Sequence, residues 1–259
     1  MAQKPLILAV ETSSRVGSVA IAVGEKMLAE TTFSGPMRHG AEIFPAIERL
    51  LDRFARKSQE IEHVYISIGP GSFTGLRIAT TLAKTMCLAN PPGRTKIVAV
   101  DTLDVIAANV IDLTSKNTVS DSRHQSRDTS YEKIAPILDA KRNQFFIAVY
   151  QRTTDKKRDW KKILPDSLMT ASQFIEKFPP TGSGAIWLLG DGLLYYKDKF
   201  KAKGVCFLEQ KYWSPRASKV YLLGWQKALA GQFADPVTLT PNYLLRPDAE
   251  EKGQLQKNI

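Results

Sequence analysis

The chain has 259 residues, 43% of them apolar, enough to bury a substantial core as one large domain or, the better fit, two small lobes. Its 36 basic and 26 acidic side chains leave a net charge of +10, which favours an acidic partner without requiring one. Two cysteines, Cys87 in an expected helix and Cys206 in an expected strand, each lie among apolar neighbours and read as buried and reduced. No apolar run reaches the roughly twenty residues that cross a membrane.

Met1 to Pro5 lead straight into an apolar run, Leu6–Val10, with no secretory leader pattern, so the expected location is the cytoplasm. That run reads as a strand, followed by a polar turn at Glu11-Thr12-Ser13-Ser14 and further strands at Ser18–Val23 and Met27–Phe33. Residues 41–57 carry Ile43, Phe44, Ile47, Leu50, Leu51 and Phe54 at helical spacing, with Pro45 tolerable inside a first turn. A buried strand, Val64–Ile68, precedes a glycine-rich turn over residues 69–75, and Leu76, Ala79, Leu82, Ala83 and Met86 then mark a second helix over 76–90. With the strand at 97–100, this order predicts a mixed sheet covered by helices in an N-terminal lobe of residues 1–110. Residues 111–133 form a polar, charge-balanced stretch that reads as a mobile insertion. Strands near 134–139, 145–151, 163–169, 185–190 and 205–208 predict a second, smaller lobe over 134–212. A helix and an extended segment over 213–247 then return to the first lobe, and 248–259 is a polar tail.

Two segments could carry chemistry. The turn Gly69-Pro70-Gly71-Ser72-Phe73-Thr74-Gly75 sits between a strand and a helix, its glycines permit close approach, and Ser72 and Thr74 are natural caps. Anion binding at the helix start is physically available there, but the Walker A order is absent and no lysine follows Gly75. A tight turn without a ligand is an equal reading. The Glu11-Thr12-Ser13 turn is compatible either with a capped hairpin or with a hydrated magnesium site. His39, His63 and His124 are never at metal-ligand spacing, neither cysteine has a sequence cue for a histidine partner, and no Gly-x-Ser-x-Gly elbow occurs, which argues against a peptidase. His39, just ahead of the first helix, reads as a capping or interface residue. Two basic patches, Lys156–Lys162 and Lys197–Lys203, could meet phosphates.

Taken together, Glu11-Thr12-Ser13, Arg38-His39, the Gly69–Arg77 turn, Val98-Ala99-Val100-Asp101-Thr102-Leu103, Ile137–Asn143 and Pro241–Arg246 resemble the TsaB family, formerly YeaZ, of bacterial threonylcarbamoyladenosine synthesis on tRNA. The resemblance implies an α/β, actin-like ATPase fold of two lobes, each a mixed sheet flanked by helices. It implies a non-catalytic scaffold for threonylcarbamoyl transfer to N6 of adenosine 37 in tRNAs that read codons beginning with adenine. The implied partners are TsaD in a heterodimer, the ATPase TsaE, and tRNA through the complex, with a homodimer when alone and no membrane. TsaD carries a His-x-x-x-His metal pair where this chain has Thr102 and Ile106, so no catalytic or metal residue is assigned here. No cofactor is expected to be held tightly, ATP or ADP and magnesium being placed at the complex interface. A residual nucleotide site would comprise Glu11, Thr12, Ser13, Gly69, Gly71, Ser72, Thr74 and Gly75. The implied partner interface on the two first-lobe helices comprises His39, Ile43, Ile47, Leu50, Arg77, Ala79, Ala83 and Met86. The competing class is a phosphotransferase or ATPase of the same fold, with Glu11 organising magnesium; a peptidase ranks below it.

Overall fold

The computed structural model describes residues 4–116, 131–153, 160–179 and 185–244. Its first strand, β1 (Leu6–Glu11), is buried on both faces: Leu6, Leu8 and Val10 join one cluster with Ile43, Leu50 and Ala79, while Ile7 and Ala9 join another with Val220 and Tyr221. A strand covered on both sides needs a continuous apolar run, which is why residues 6–10 show no polar alternation.

Two five-stranded sheets result, and they share one topology. In the first, β3 (Lys26–Thr32), β2 (Ser18–Val23) and β1 pair antiparallel, and β4 (Ile61–Ser67) and β5 (Lys96–Val100) add in parallel beyond β1. In the second, β8 (Trp160–Met169), β7 (Phe145–Arg152) and β6 (Lys133–Asp139) pair antiparallel, and β9 (Ile186–Leu189) and β10 (Val205–Phe207) add in parallel beyond β6. The parallel steps require crossovers, supplied by α1 (His39–Arg53) and α2 (Phe73–Ala89) in the first lobe and by α4 (Ala171–Lys177) and α5 (Leu193–Tyr196) in the second. The expected architecture of two mixed sheets flanked by helices holds.

The helix after each fifth strand serves the other lobe. From α3 (Thr102–Lys116), Leu103, Ile106, Ala107 and Val110 enter the core of the second sheet, and Asp104 accepts from Lys162 Nζ at 2.7 Å and from the Tyr150 hydroxyl. From α6 (Ala217–Leu229), Ala217, Val220 and Tyr221 cover the first sheet. Gly224 lies so close to Tyr65 that a Cβ would sit 2.6 Å from the ring, so only glycine lets α6 approach there.

Most element boundaries shift by one to three residues, and three departures from the sequence reading have a physical cause. Helix α3 runs to Lys116, across the 110/111 limit set for the polar insertion, because its apolar face packs on the second sheet; residues 117–130 lie outside the described residues. Pro45 is the seventh residue of α1, beyond its first turn, at an exposed position, and having no N–H it cannot donate to the carbonyl of the exposed Ala41 four residues back. The same helix stops at Arg53, short of residue 57: Ala55 takes a left-handed φ of 49°, with Arg56 N donating to Leu51 O at 2.9 Å and Ala55 N to Asp52 O at 3.1 Å. That is a Schellman cap built on alanine, where glycine is the usual choice.

Candidate functional site

The Glu11–Ser14 turn and the Gly69–Gly75 turn do come together, but they face each other. Glu11 ends β1 fully buried; one carboxylate oxygen accepts from Ser13 N at 2.6 Å and Ser13 Oγ at 2.5 Å, and the other accepts from the Ser67 hydroxyl at the end of β4. Burial pushes its pKa up, and the three donated hydrogen bonds only partly counter that. Thr12 Oγ1 donates to Gly75 O at 2.7 Å, and Ser72 N donates to Ser13 O at 2.6 Å. Ser72 caps α2, its Oγ accepting from Gly75 N at 3.3 Å, whereas Thr74 is exposed in the first turn and caps nothing.

The glycines serve this junction. A Cβ on Gly75 would lie 1.8 Å from Thr12 O, one on Gly71 would lie 2.3 Å from Ser13 O, and one on Gly69, whose φ is +113°, would lie 2.7 Å from Asn242 O. The turn also receives the start of α3, Thr102 N donating to Gly69 O at 2.8 Å, and the C-terminal strap, Asn242 N donating to Ile68 O at 2.7 Å. Backbone approach therefore explains all three positions. Both Glu11 carboxylate oxygens accept from the chain's own donors, and Thr12 and Ser13 are at most 1% exposed. These residues do not fit a magnesium–nucleotide group in this arrangement, and at the head of α2, where the sequence left anion binding and a ligand-free turn as equal readings, the Ser72 amide is taken by Ser13 O.

Beside the junction the lobes meet directly. Ser14 and the Arg15 amide hydrogen-bond Asp191, whose carboxyl is pushed up by burial, and Ser214 Oγ donates to Asp191 Oδ1 at 3.1 Å. Arg15 donates to the Tyr195 hydroxyl at 3.0 Å. His39 is the first residue of α1, not a cap: it is 3% exposed and its Nε2 lies 2.9 Å from Ser14 O. A carbonyl can only accept, so Nε2 carries the hydrogen, and burial holds the ring below its ordinary pKa and neutral. Thr102 and Ile106, where a metal pair would have to stand, are fully buried. Among the described residues no group of three or more His, Cys, Asp or Glu side chains could hold a metal ion. Cys87 Sγ faces Thr95 O at 3.4 Å, and burial pushes its thiol pKa up, the opposite of a nucleophile's environment.

An open feature of the first lobe is a groove of about 760 Å³ between α1 and α2, lined by Ile43, Ile47, Leu51, Leu82 and Met86 among others. Of the residues assigned to an interface, Ile43, Ile47, Met86 and Arg77 line it, while Leu50, Ala79, Ala83 and His39 stand behind it in the lobe core. Those four are buried because they occupy the sides of the helices turned to the sheet, which an apolar stripe alone does not separate from the groove side. Arg77 is fixed at the mouth, its guanidinium 3.9 Å above the Phe73 ring, which packs on Tyr243 of the strap at a centroid separation of 4.8 Å. The sequence reading missed two residues. Phe44, 59% exposed on the groove, sat inside the stripe with no signal but a one-residue offset from Ile43; Ser67 was a polar residue closing an apolar strand.

A family model described as TsaD: tRNA N6-adenosine threonylcarbamoyltransferase matches residues 28–224. The chain is similar to the tRNA threonylcarbamoyladenosine biosynthesis protein TsaB of Bacillus subtilis (strain 168), 28% identical over 249 residues that cover 95% of this chain and 96% of that protein. It is similar to the protein of the same name from Escherichia coli (strain K12), 23% identical over 241 residues, 91% of this chain and 95% of that one. Among solved structures, YeaZ from Pseudomonas aeruginosa superimposes with a TM-score of 0.71 at 19% identity, covering 93% of this chain and 100% of that one, a likeness of fold.

Proposed function

The chain belongs to the TsaB/YeaZ family, and from that premise we propose that it is the non-catalytic, activating subunit of a tRNA threonylcarbamoyladenosine synthase, working with TsaD and TsaE. The observation that carries the reading is the pairing of a filled junction with an open groove. The carboxylate and hydroxyls that could have handled magnesium and phosphate hydrogen-bond one another, while α1 and α2 leave an apolar trough unpaired. A trough of that kind takes the helices of another protein, with Phe44 as an aromatic anchor and Arg77 at the rim. TsaD is the partner this reading puts there, and the threonylcarbamoyl transfer to N6 of adenosine 37 belongs to TsaD. The subunit raises the rate only if its contacts favour TsaD's active arrangement over its inactive ones. Nucleotide and magnesium then act on the partner's side of the complex. The expected compartment is the cytoplasm, where tRNA is; among the described residues no helix is long and apolar enough to cross a membrane.

The test is reconstitution with unmodified tRNA, TsaD, TsaE and the adenylate-forming enzyme, product nucleosides being read by mass spectrometry. Threonylcarbamoyladenosine should form only when this chain is present, should persist with Glu11→Gln, and should be lost with Phe44→Asp. Formation without the chain overturns the proposal, and ATP turnover by the isolated chain that disappears with Glu11→Gln would replace it with a phosphotransferase.

A further inference from the structure

The β6–β7 turn and the segment after β9 are about fifty residues apart in sequence and adjacent in space. Lys199 Nζ, in the 3-10 turn Lys197–Phe200, contacts Asn143 Oδ1, and Phe145 packs edge-on against Tyr196 at 5.4 Å. From the first lobe, Arg15 joins them through the Tyr195 hydroxyl and lies 5.3 Å from the centre of that ring. Together, residues 139–143, residues 193–203 and Arg15 hold seven basic side chains and two acidic ones, an excess of five, half of the chain's net charge of +10. Arg15, Lys141, Arg142, Lys197, Lys199, Lys201 and Lys203 are all exposed. The two acids are each paired within the patch, Asp139 with Lys141 at 3.2 Å and Asp198 with Lys201 at 2.6 Å.

The backbone under the patch is unusual. Lys141, Arg142 and Asn143 are successive non-glycine residues in the left-handed region, at φ of 69°, 50° and 63°. Lysine and arginine rarely adopt this region, which asparagine tolerates better, and the turn is held locally by Asp139 accepting from Lys141 N at 2.8 Å. Strain kept at an exposed basic turn is a reason to look for a ligand. In the other basic patch Lys162 is engaged by Asp104 and Asp166, while residues 154–159 lie outside the described residues and carry no argument.

We propose that this face, running from Arg15 across Tyr195 to the Lys141–Asn143 turn and the Lys197–Lys203 segment, binds the phosphate backbone of folded RNA. Lysines on compact turns meet phosphates as point charges and carry no sequence preference. Tyr195, 70% exposed and held through its hydroxyl by Arg15, presents a ring on which an unpaired base can stack. A lipid surface would require bulky aliphatic anchors, and Leu194, at 37%, is the one large aliphatic side chain exposed among residues 193–203. That the RNA is tRNA rests on the proposed function; the phosphate chemistry does not.

The experiment is fluorescence anisotropy of the full chain, without partners, on labelled tRNA transcript from about 50 to 200 mM salt. The triple variant Lys141→Glu/Arg142→Glu/Lys199→Glu should weaken binding at least tenfold and flatten the slope of log affinity against log salt by about 2 to 3. The control Lys26→Glu/Lys57→Glu, on exposed first-lobe positions, should change affinity less than twofold, and Lys→Gln versions should lose less in the same order. Absent binding at low salt, equal loss in patch and control variants, or preferential capture of phosphatidylserine vesicles through the same lysines would each overturn the proposal. Because no partner is present, the result is readable even if modification of tRNA proves independent of this chain.

Discussion

The junction of the Glu11 and Gly69 turns and the groove between α1 and α2 lie on one lobe and are opposites. The junction is polar, buried and complete: every donor described at Glu11 has its acceptor, and two glycine positions admit nothing larger. The groove is apolar, open and unpaired, with an aromatic ring 59% exposed. Glycine and hydroxyl residues in a strand-to-helix turn thus serve a backbone junction as readily as a ligand. What separates the two uses is whether the amides and the carboxylate have partners inside the chain.

Gly75→Ala breaks the comparison hardest, since its Cβ would meet Thr12 O at 1.8 Å and the turns must part. Loss of about 4 kcal/mol or failure to fold is expected, read by thermal or urea unfolding. Glu11→Ala should cost about 3 kcal/mol, because two buried hydroxyls and an amide lose their acceptor, and the same unfolding curves would show it. In the groove the order reverses. Phe44→Asp should leave stability within about 0.5 kcal/mol while weakening the partner complex by about 2 kcal/mol, some thirtyfold, by calorimetry.

Smaller effects sharpen the contrast. Glu11 has its pKa raised by burial, so its contribution to stability is complete below the ordinary carboxylate range and falls as pH rises through the raised value. Glu11→Gln should remove that part of the pH dependence of the unfolding midpoint. At the far end of α1, Ala55→Gly should stabilise by about 0.5–1 kcal/mol by relieving the left-handed φ of 49°, without touching the groove.

Much of the fold was legible because it depends on local pattern. The unbroken run at residues 6–10 announced a strand covered on both faces, and the recurrence of Leu76, Ala79, Leu82, Ala83 and Met86 announced α2. The end of α1 was not legible, since Phe54 continues the apolar period while Ala55 ends the helix by a backbone conformation that alanine rarely adopts. Nor was the extent of α3, whose last turns look polar in sequence and are held from further up the helix by the second sheet.

By itself the sequence determined two lobes of mixed sheet and helix, a strand-end carboxylate, a glycine turn after β4 and the lack of a histidine pair at 102 and 106, because each depends on residue type and short spacing. Only the tertiary structure decided that the two turns consume each other's polar groups, that Leu50 and Ala79 belong to the core while Phe44 faces the groove, and that Arg15, Lys141 and Lys199 share one surface. Those outcomes turn on which long-range neighbour a group meets, and a side chain or amide carries the same chemistry in sequence whether its partner is its own backbone or another molecule.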